Sequence, residues 1–308
     1  MSKYILRRAL GLIPTMFIIV TICFFFIRLA PGGPFSSEKK IDPQILKNIQ
    51  AKYHMDEPLL VQYVRYLGDV VRGDFGPSYK YKDYDVNYYI GKSLPKSLIL
   101  GSLALVIAII FGMGAGMVSS LKQNTWADYL SMSIAVIGIS VPLFVIGPVL
   151  MYIFAIKLNI LPTSGWIDER GLKALIMPVL TLSLSYFATV ARLSRASFLE
   201  ALRSDYVRTA RAKGLKTSVI MFKHVLKGAS LPIVSYLGPA FSGIITGSIV
   251  IEQIFRIPGL GRHFVQSAFN RDYTMIMGTV IVYSLILVIM NFLVDVIYGF
   301  LDPRISYK

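Results

Sequence analysis

The stretch EALRSDYVRTARAKGLKTSVIMFKHVLKGASLP, residues 200–232, decides how the rest of the chain is read. It is the longest strongly basic segment between two hydrophobic runs. With its approach it carries Arg192, Arg195, Arg203, Arg208, Arg211, Lys213, Lys216, Lys223 and Lys227 against only Glu200 and Asp205. Lys and Arg resist translocation, so a basic connection between membrane spans marks the cytoplasmic side. Residues 200–213 lack Pro and Gly and are rich in Ala, Arg and Leu, which predicts a helix. Gly214 stands where a helix needs a left-handed terminating residue. Pro232 opens the next apolar run, where a missing N–H costs least. An ordinary cytoplasmic turn would account for the charge but not for the length. A simple connection needs a few residues, whereas this one runs to about thirty and contains a capped helix. The segment is read as a docking element.

The remaining composition agrees with spans on either side of it. The 308 residues are 55% hydrophobic and 16% charged, with a mean hydropathy of +0.60. That describes a polytopic membrane protein rather than one or two soluble domains. A net charge of +15 would suggest nucleic acid in a soluble chain. Here the basic residues flank apolar runs and topology accounts for them, so no nucleic-acid partner is expected. Cys23 is the only cysteine and lies inside the first apolar run, which excludes disulfides, cysteine-ligated metal clusters and Cys-based redox motifs.

Taken in order, Lys3, Arg7 and Arg8 precede the apolar run 9–27, a first span entering from the cytoplasm, with Pro14 expected to kink it. The Pro31-Gly-Gly-Pro34 cluster ends it. Residues 35–96 form the one sizeable polar region. Two short helices are expected there, 43–52 and 58–71, each with proline near its first turn. About sixty residues pack only a small core, so the region is read as a lid or collar resting on the spans. Further spans are expected at 97–121, 129–156 (interrupted by Pro142 and Pro148), 172–190 (broken by Pro178), 229–251 and 274–300. Asp302-Pro-Arg304 then ends the chain inside. Gly112 and Gly116, four apart, either pack closely on a neighbour or line a passage. The stripe Ser235, Pro239, Gly243 and Gly247 leaves the same two readings. Trp166 is an interface-type residue. In the second external segment, 252–273, Pro258-Gly-Leu-Gly261 makes a tight turn. Phe264, Val265, Ala268 and Phe269 then form one face of a helix able to lie on the membrane.

No catalytic constellation is visible. His54, His224 and His263 stand in no metal-ligand or nucleophile spacing, and no GxxxxGK[ST] loop for nucleotide occurs. Charges within the spans are few. Arg28, Lys157 and Glu252 are placed at edges. Asn291 and Asp295, four apart, are the only pair an ion-coupled carrier would use; hydrogen bonding between helices is the plainer account. A chain with a docking segment and no internal coupling machinery takes its energy from a partner.

These residues carry a resemblance. Tyr206-Val-Arg-Thr-Ala-Arg-Ala-Lys-Gly214-Leu, followed by His224 and Leu231-Pro232, resembles the cytoplasmic EAA loop of bacterial ABC importer permeases. Arg208, Thr209 and Ala210 stand where the general pattern has Glu-Ala-Ala, as in the peptide and nickel branch. Lys227-Gly228 replaces the more usual Arg-Asn. Tyr4-Ile-Leu-Arg-Arg8, Phe26-Ile-Arg28-Leu-Ala-Pro31-Gly-Gly-Pro34, Tyr53-His-Met-Asp-Glu-Pro58, Gly73-Asp-Phe-Gly76, Pro258-Gly-Leu-Gly261 and Arg271-Asp-Tyr273 are similar to the B-type subunits of peptide permeases. Lys80-Tyr-Lys-Asp-Tyr84 is similar to oligopeptide permeases in particular.

The resemblance implies an all-α polytopic protein of the type I ABC importer permease fold, with six transmembrane helices. Residues 1–30 would form the first helix and 31–96 a periplasmic domain. Residues 97–308 would form a five-helix core with a coupling loop at about 192–228. It implies a bacterial inner-membrane location with both termini cytoplasmic. The partners would be a C-type permease, two ATPases and a periplasmic peptide-binding protein, in the lipid bilayer. No cofactor or metal is bound by this chain; ATP and Mg are used by the partner subunits. Glu200, Asp205, Arg208, Thr209, Ala210, Arg211, Ala212, Lys213, Gly214 and Leu215 would couple to the ATPase. Arg256, Pro258, Gly259, Leu260 and Gly261 would meet the binding protein. Dipeptides, murein peptides and nickel complexes are alternative cargoes of the same architecture, and a self-contained ion-coupled carrier is the alternative of another class.

Overall fold

The computed structural model describes residues 2–29, 33–35, 43–81 and 83–301. The ending at Asp302-Pro-Arg304 and the first half of the Pro31–Pro34 cluster lie outside them. α1 (Ser2–Leu29) is apolar almost throughout and continues through Pro14. α2 (Pro43–Lys52) and α3 (Leu59–Val71, entered through Pro58) are the two expected collar helices. α4 (Val86–Leu121) begins at Val86 rather than at Ser97, carrying Pro95 inside it. At 1.5 Å per residue its 36 residues reach about 54 Å, beyond the ~30 Å hydrocarbon core. The helix is thus longer than a span requires, and its first turns carry Val86 and Ile90 against Gly278 of the last helix.

The third expected span is not one rod. α5 (Trp126–Ser140) and α6 (Leu143–Leu150, prolonged by wider π-helical turns over Met151–Lys157) meet at a bend of 107°. The cause is Pro142. The residue before a proline is excluded from the helical region, and Val141 is extended at φ −93°, ψ 123°. α7 (Ile167–Arg170) is one turn. Trp166, at its start, is buried in the main core and not at an interface. α8 (Lys173–Leu202) passes through Pro178 unbroken and runs beyond Val190 to Leu202. The helix expected over 200–213 is thus divided between the end of α8 and α9 (Asp205–Ala212), with Ser204 extended between them. α10 (Thr217–Val219), π-helical turns over Ile220–Val225 and α11 (Leu226–Ala229) lead back to α12 (Leu231–Ile254), where Pro232 sits in the first turn as expected. α13 (Leu260–Asn270) and α14 (Tyr273–Leu301) complete the chain. Among the described residues five helices are long and apolar enough to cross a membrane, six if the bent pair counts as one. Among the described residues no strand occurs, only an isolated bridge between Pro77 and Asp85.

α4 and α8 form the tightest pair. A Cβ on Gly116 would stand 2.4 Å from Ser194 Cβ, and one on Gly112 2.8 Å from Val190 Cβ. Of the two readings of this glycine pair, close packing is the one realised. The main core joins α4 and α8 to α12, α13 and α14 through Leu100, Leu182, Ile244, Ile251 and Met275. The stripe on α12 behaves differently: Ser235 and Pro239 are exposed, and only Gly243 is covered, by the Tyr186 hydroxyl. Gly247 lies among the residues whose surroundings are not described. α1 packs along α14, where Arg8 Nε reaches Asp295 Oδ2 at 2.9 Å, and Asn291 fits over Gly238 of α12. Both members of that pair therefore join helices.

Candidate functional site

The basic segment is an elbow with a dry inside and a charged outside. Its amphipathic spacing turns Val207 and Ala210 of α9 inward, against Phe198 of α8 and Ile220, Met221 and Val225 of the following turns. Arg208, Thr209, Arg211, Ala212, Lys213, Gly214 and Leu215 face solvent, with Tyr206 beside them, and Glu200 is exposed on the end of α8. Arg208 and Asp205 approach to 3.5 Å but are both almost fully exposed, so the pair adds little. Gly214 adopts φ +74°, and Leu215 N donates to Ala210 O at 3.3 Å while Gly214 N donates to Arg211 O at 2.9 Å. That is the left-handed glycine terminus predicted for this position. The ten residues expected to couple therefore lie in one elbow, exposed except for Ala210, with Val207 completing its hydrophobic seat.

Behind the elbow, Arg195 of α8 donates from Nε and Nη2 to Asp128 at 2.8 and 2.7 Å, a bidentate pair. Asp128 is buried, and it also accepts from Ser119 Oγ and from Asn124 N at 3.0 Å. Sequence reading counted Arg195 among the topology-setting charges and left Asp128 in a short link. The two in fact clamp α4, α5 and α8 together.

At the far end of α12, the structure overturns the placement of Glu252 at an edge. Glu252 is 0% exposed. Its Oε1 accepts from Ser97 Oγ of α4 and from Ser248 Oγ, both at 2.7 Å, and Ser97 Oγ accepts from Leu260 N at 2.8 Å. Oε2 lies beside Gly261 and faces the first amides of α13, where the helix dipole favours a negative charge. Gly259 and Gly261 permit this approach: a Cβ on Gly259 would stand 2.4 Å from the carboxyl carbon. Of the five residues expected to meet a binding protein, Arg256 (φ +52°) is exposed and Pro258 half-buried, while Gly259, Leu260 and Gly261 are buried around Glu252. Those three shape the turn, and Arg256 and Pro258 form its surface. α13 is not uniformly turned to the membrane either. Phe264 packs edge-on to Tyr283 at 6.3 Å between ring centroids, whereas Phe269 is exposed.

A second buried carboxylate, Asp272, accepts from Ser78 Oγ, from Tyr79 N at 3.2 Å and from Met275 N at 3.3 Å. It caps α14 and ties the collar to it. Burial pushes the neighbouring Tyr79 hydroxyl up to about 12 and holds the His263 imidazole below its ordinary value, with Arg262 adding to the effect. Sequence analysis noted Asp272 only as part of a motif; its isolated polar character next to an apolar run was the available signal. Among the described residues no three His, Cys, Asp or Glu side chains converge as a metal set.

The chain belongs to the binding-protein-dependent transport system inner membrane components, whose profile matches residues 108–307, with the N-terminal profile of the same systems matching residues 1–85. It is therefore a multi-pass inner-membrane component of a multi-subunit transport system. It is 50% identical, over the full length of both chains, to the oligopeptide transport system permease protein OppB of Salmonella typhimurium strain LT2. Identity is 49% to OppB of Escherichia coli K12, again over both full lengths. It is 42% to the dipeptide permease protein DppB of Bacillus subtilis 168, over 99% of this chain and 98% of that one. Among solved structures, a chain of the inward-facing MetNI methionine ABC transporter superposes with a TM-score of 0.58 at 17% identity. The match covers 70% of this chain and 97% of the other, and at that identity it shows the shared fold alone.

Proposed function

We propose that this chain is the B-type permease of an ATP-driven importer and forms half of the passage through which oligopeptides enter the cell. A periplasmic binding protein delivers the peptide, a C-type permease supplies the other half of the passage, and two cytoplasmic ATPases hydrolyse Mg-ATP. The Arg-rich elbow and both termini face the cytoplasm. Arg256 and Pro258, with the collar, face the binding protein. The full-length identity to OppB proteins favours oligopeptides; dipeptides are the second reading, favoured by the DppB relative.

One observation carries the mechanism. α8 is a single helix from Lys173 to Leu202, and α9 is seated on its end through Val207, Ala210 and Phe198. A push on the elbow therefore moves a span as a rigid lever, a hinge-type transition. The exposed Glu200 and the Asp205–Leu215 surface take that push. The test is Thr209→Cys in a Cys23→Ser background, cross-linked with a short bis-maleimide in the assembled transporter. The expected product joins this chain to an ATPase, with a yield that changes on ATP binding. Reactivity of Thr209→Cys with an impermeant maleimide added only from outside would overturn the assignment.

A further inference from the structure

α3 leaves one face without a partner. Leu60, Val61, Val64, Gly68 and Val71 are all exposed, Leu60, Val64 and Val71 by 69%, 67% and 87%. A Cβ on Gly68 would meet no atom. At helical spacing these positions fall within an arc of about 100°, with Arg65 and Arg72 along one edge. The other face of α3 carries the contacts. Tyr63 Oη lies 2.7 Å from Thr21 Oγ1, and Arg28 Nε donates to Gln62 Oε1 at 3.3 Å. The rings of Tyr63 and Tyr66 pack on Phe24 with centroids 5.3 and 5.8 Å apart.

Those contacts place α3 at membrane depth. Thr21 precedes the end of α1 by eight residues, so α3 lies against roughly the last 12 Å of that helix. Along α1, Ile18 just before that stretch and Ile22 and Phe26 within it are exposed, the lipid-facing side of a spanning helix. The apolar arc of α3 continues that surface. On α2 the polar side chains of Gln44, Lys47, Asn48 and Gln50 are exposed.

We infer that α3 is an interfacial helix embedded in the outer leaflet. Leu60, Val61, Val64 and Val71 lie against acyl chains, and Arg72 reaches up to the phosphate level beside Arg65, which is paired with Glu57 at 2.8 Å. The collar is then anchored in lipid as well as on α1, and it travels with that helix rather than swinging as a lid in water. The word "outer" rests on the orientation proposed above; the lipid contact does not.

The experiment uses the assembled transporter reconstituted in lipid vesicles, in a Cys23→Ser background, with a nitroxide on one cysteine at a time. Val64→Cys and Leu60→Cys are compared with Ile18→Cys as the lipid reference and Lys47→Cys as the water reference. The ratio of oxygen to nickel-chelate accessibility at Val64 and Leu60 should match that at Ile18 and exceed that at Lys47 several-fold. A ratio equal to that of Lys47 would put α3 in water. Protection from both reagents would put it under another subunit. Either result overturns the inference. Labelling of Lys47→Cys by an impermeant maleimide in sealed right-side-out vesicles reports the orientation separately.

Discussion

Two single residues carry the elbow and its counterpart at the other end of α12. At Gly214 the backbone is left-handed, yet a Cβ there would touch nothing, so glycine is required by conformation alone. Gly214→Val forces a β-branched side chain into that region, at a cost of at least about 1–2 kcal/mol, and unwinds the turn that orients Leu215. ATP-coupled uptake should fall to background while insertion and assembly, read by membrane fractionation and pull-down, stay unchanged. Gly214→Asn, which tolerates the conformation, should keep most of the uptake. Glu252 is the opposite case, required for its bonds. Glu252→Ala leaves Ser97 without its acceptor, while Ser248 keeps the Ile245 carbonyl at 2.6 Å, and should lower stability by about 1–3 kcal/mol, seen as an earlier thermal transition in detergent. Sequence could flag Gly214, because its signal lies within the preceding helix. It could not flag Glu252, whose partner Ser97 lies 155 residues away in the chain and meets it only after the spans pack.

At the scale of elements, apolar length found every span, because hydrocarbon thickness sets it locally. What it missed is what packing decides. Pro142 marks a break, but the 107° turn depends on α5 and α6 both finding seats on α8 and α12. Pro178 looked like the same signal and breaks nothing, because it lies near the start of α8, where few intrahelical bonds are lost. The boundary between α8 and α9 escaped notice since no Gly or Pro announces it; Ser204, extended ahead of Asp205, does so only in hindsight. The Asp128–Arg195 clamp is the interaction on which this arrangement leans most. Asp128→Ala leaves a half-buried guanidinium, Ser119 and Asn124 N without their acceptor and should cost about 1–3 kcal/mol. The double variant Asp128→Ala/Arg195→Leu should recover part of the loss. A thermal-shift cycle over the four proteins measures the coupling, and strict additivity of the two single effects would show that the clamp does not join α5 to α8.

For the whole molecule, the decisive feature is the separation of its polar machinery. The basic elbow stands at one end of α8, the Glu252 and Asp272 networks hold the turn and collar at the other, and between them the core is Leu, Ile, Met and small residues. Such a body can transmit a displacement, and among the described residues the core between its ends is apolar; on the function proposed above, energy comes from the ATPases and selectivity from the binding protein. The chain alone in proteoliposomes should therefore move no peptide under a proton or sodium gradient. The assembled transporter should move it only with Mg-ATP inside and a binding protein outside. The stripe at Ser235 and Pro239 is left exposed by this chain, open either to a neighbouring helix or to the passage. Exchanging the binding protein for one of different peptide preference, with the permease untouched, should carry the uptake range with it, measured by competition with labelled peptides of two to five residues. A range that stays with the permease would place selectivity on this chain.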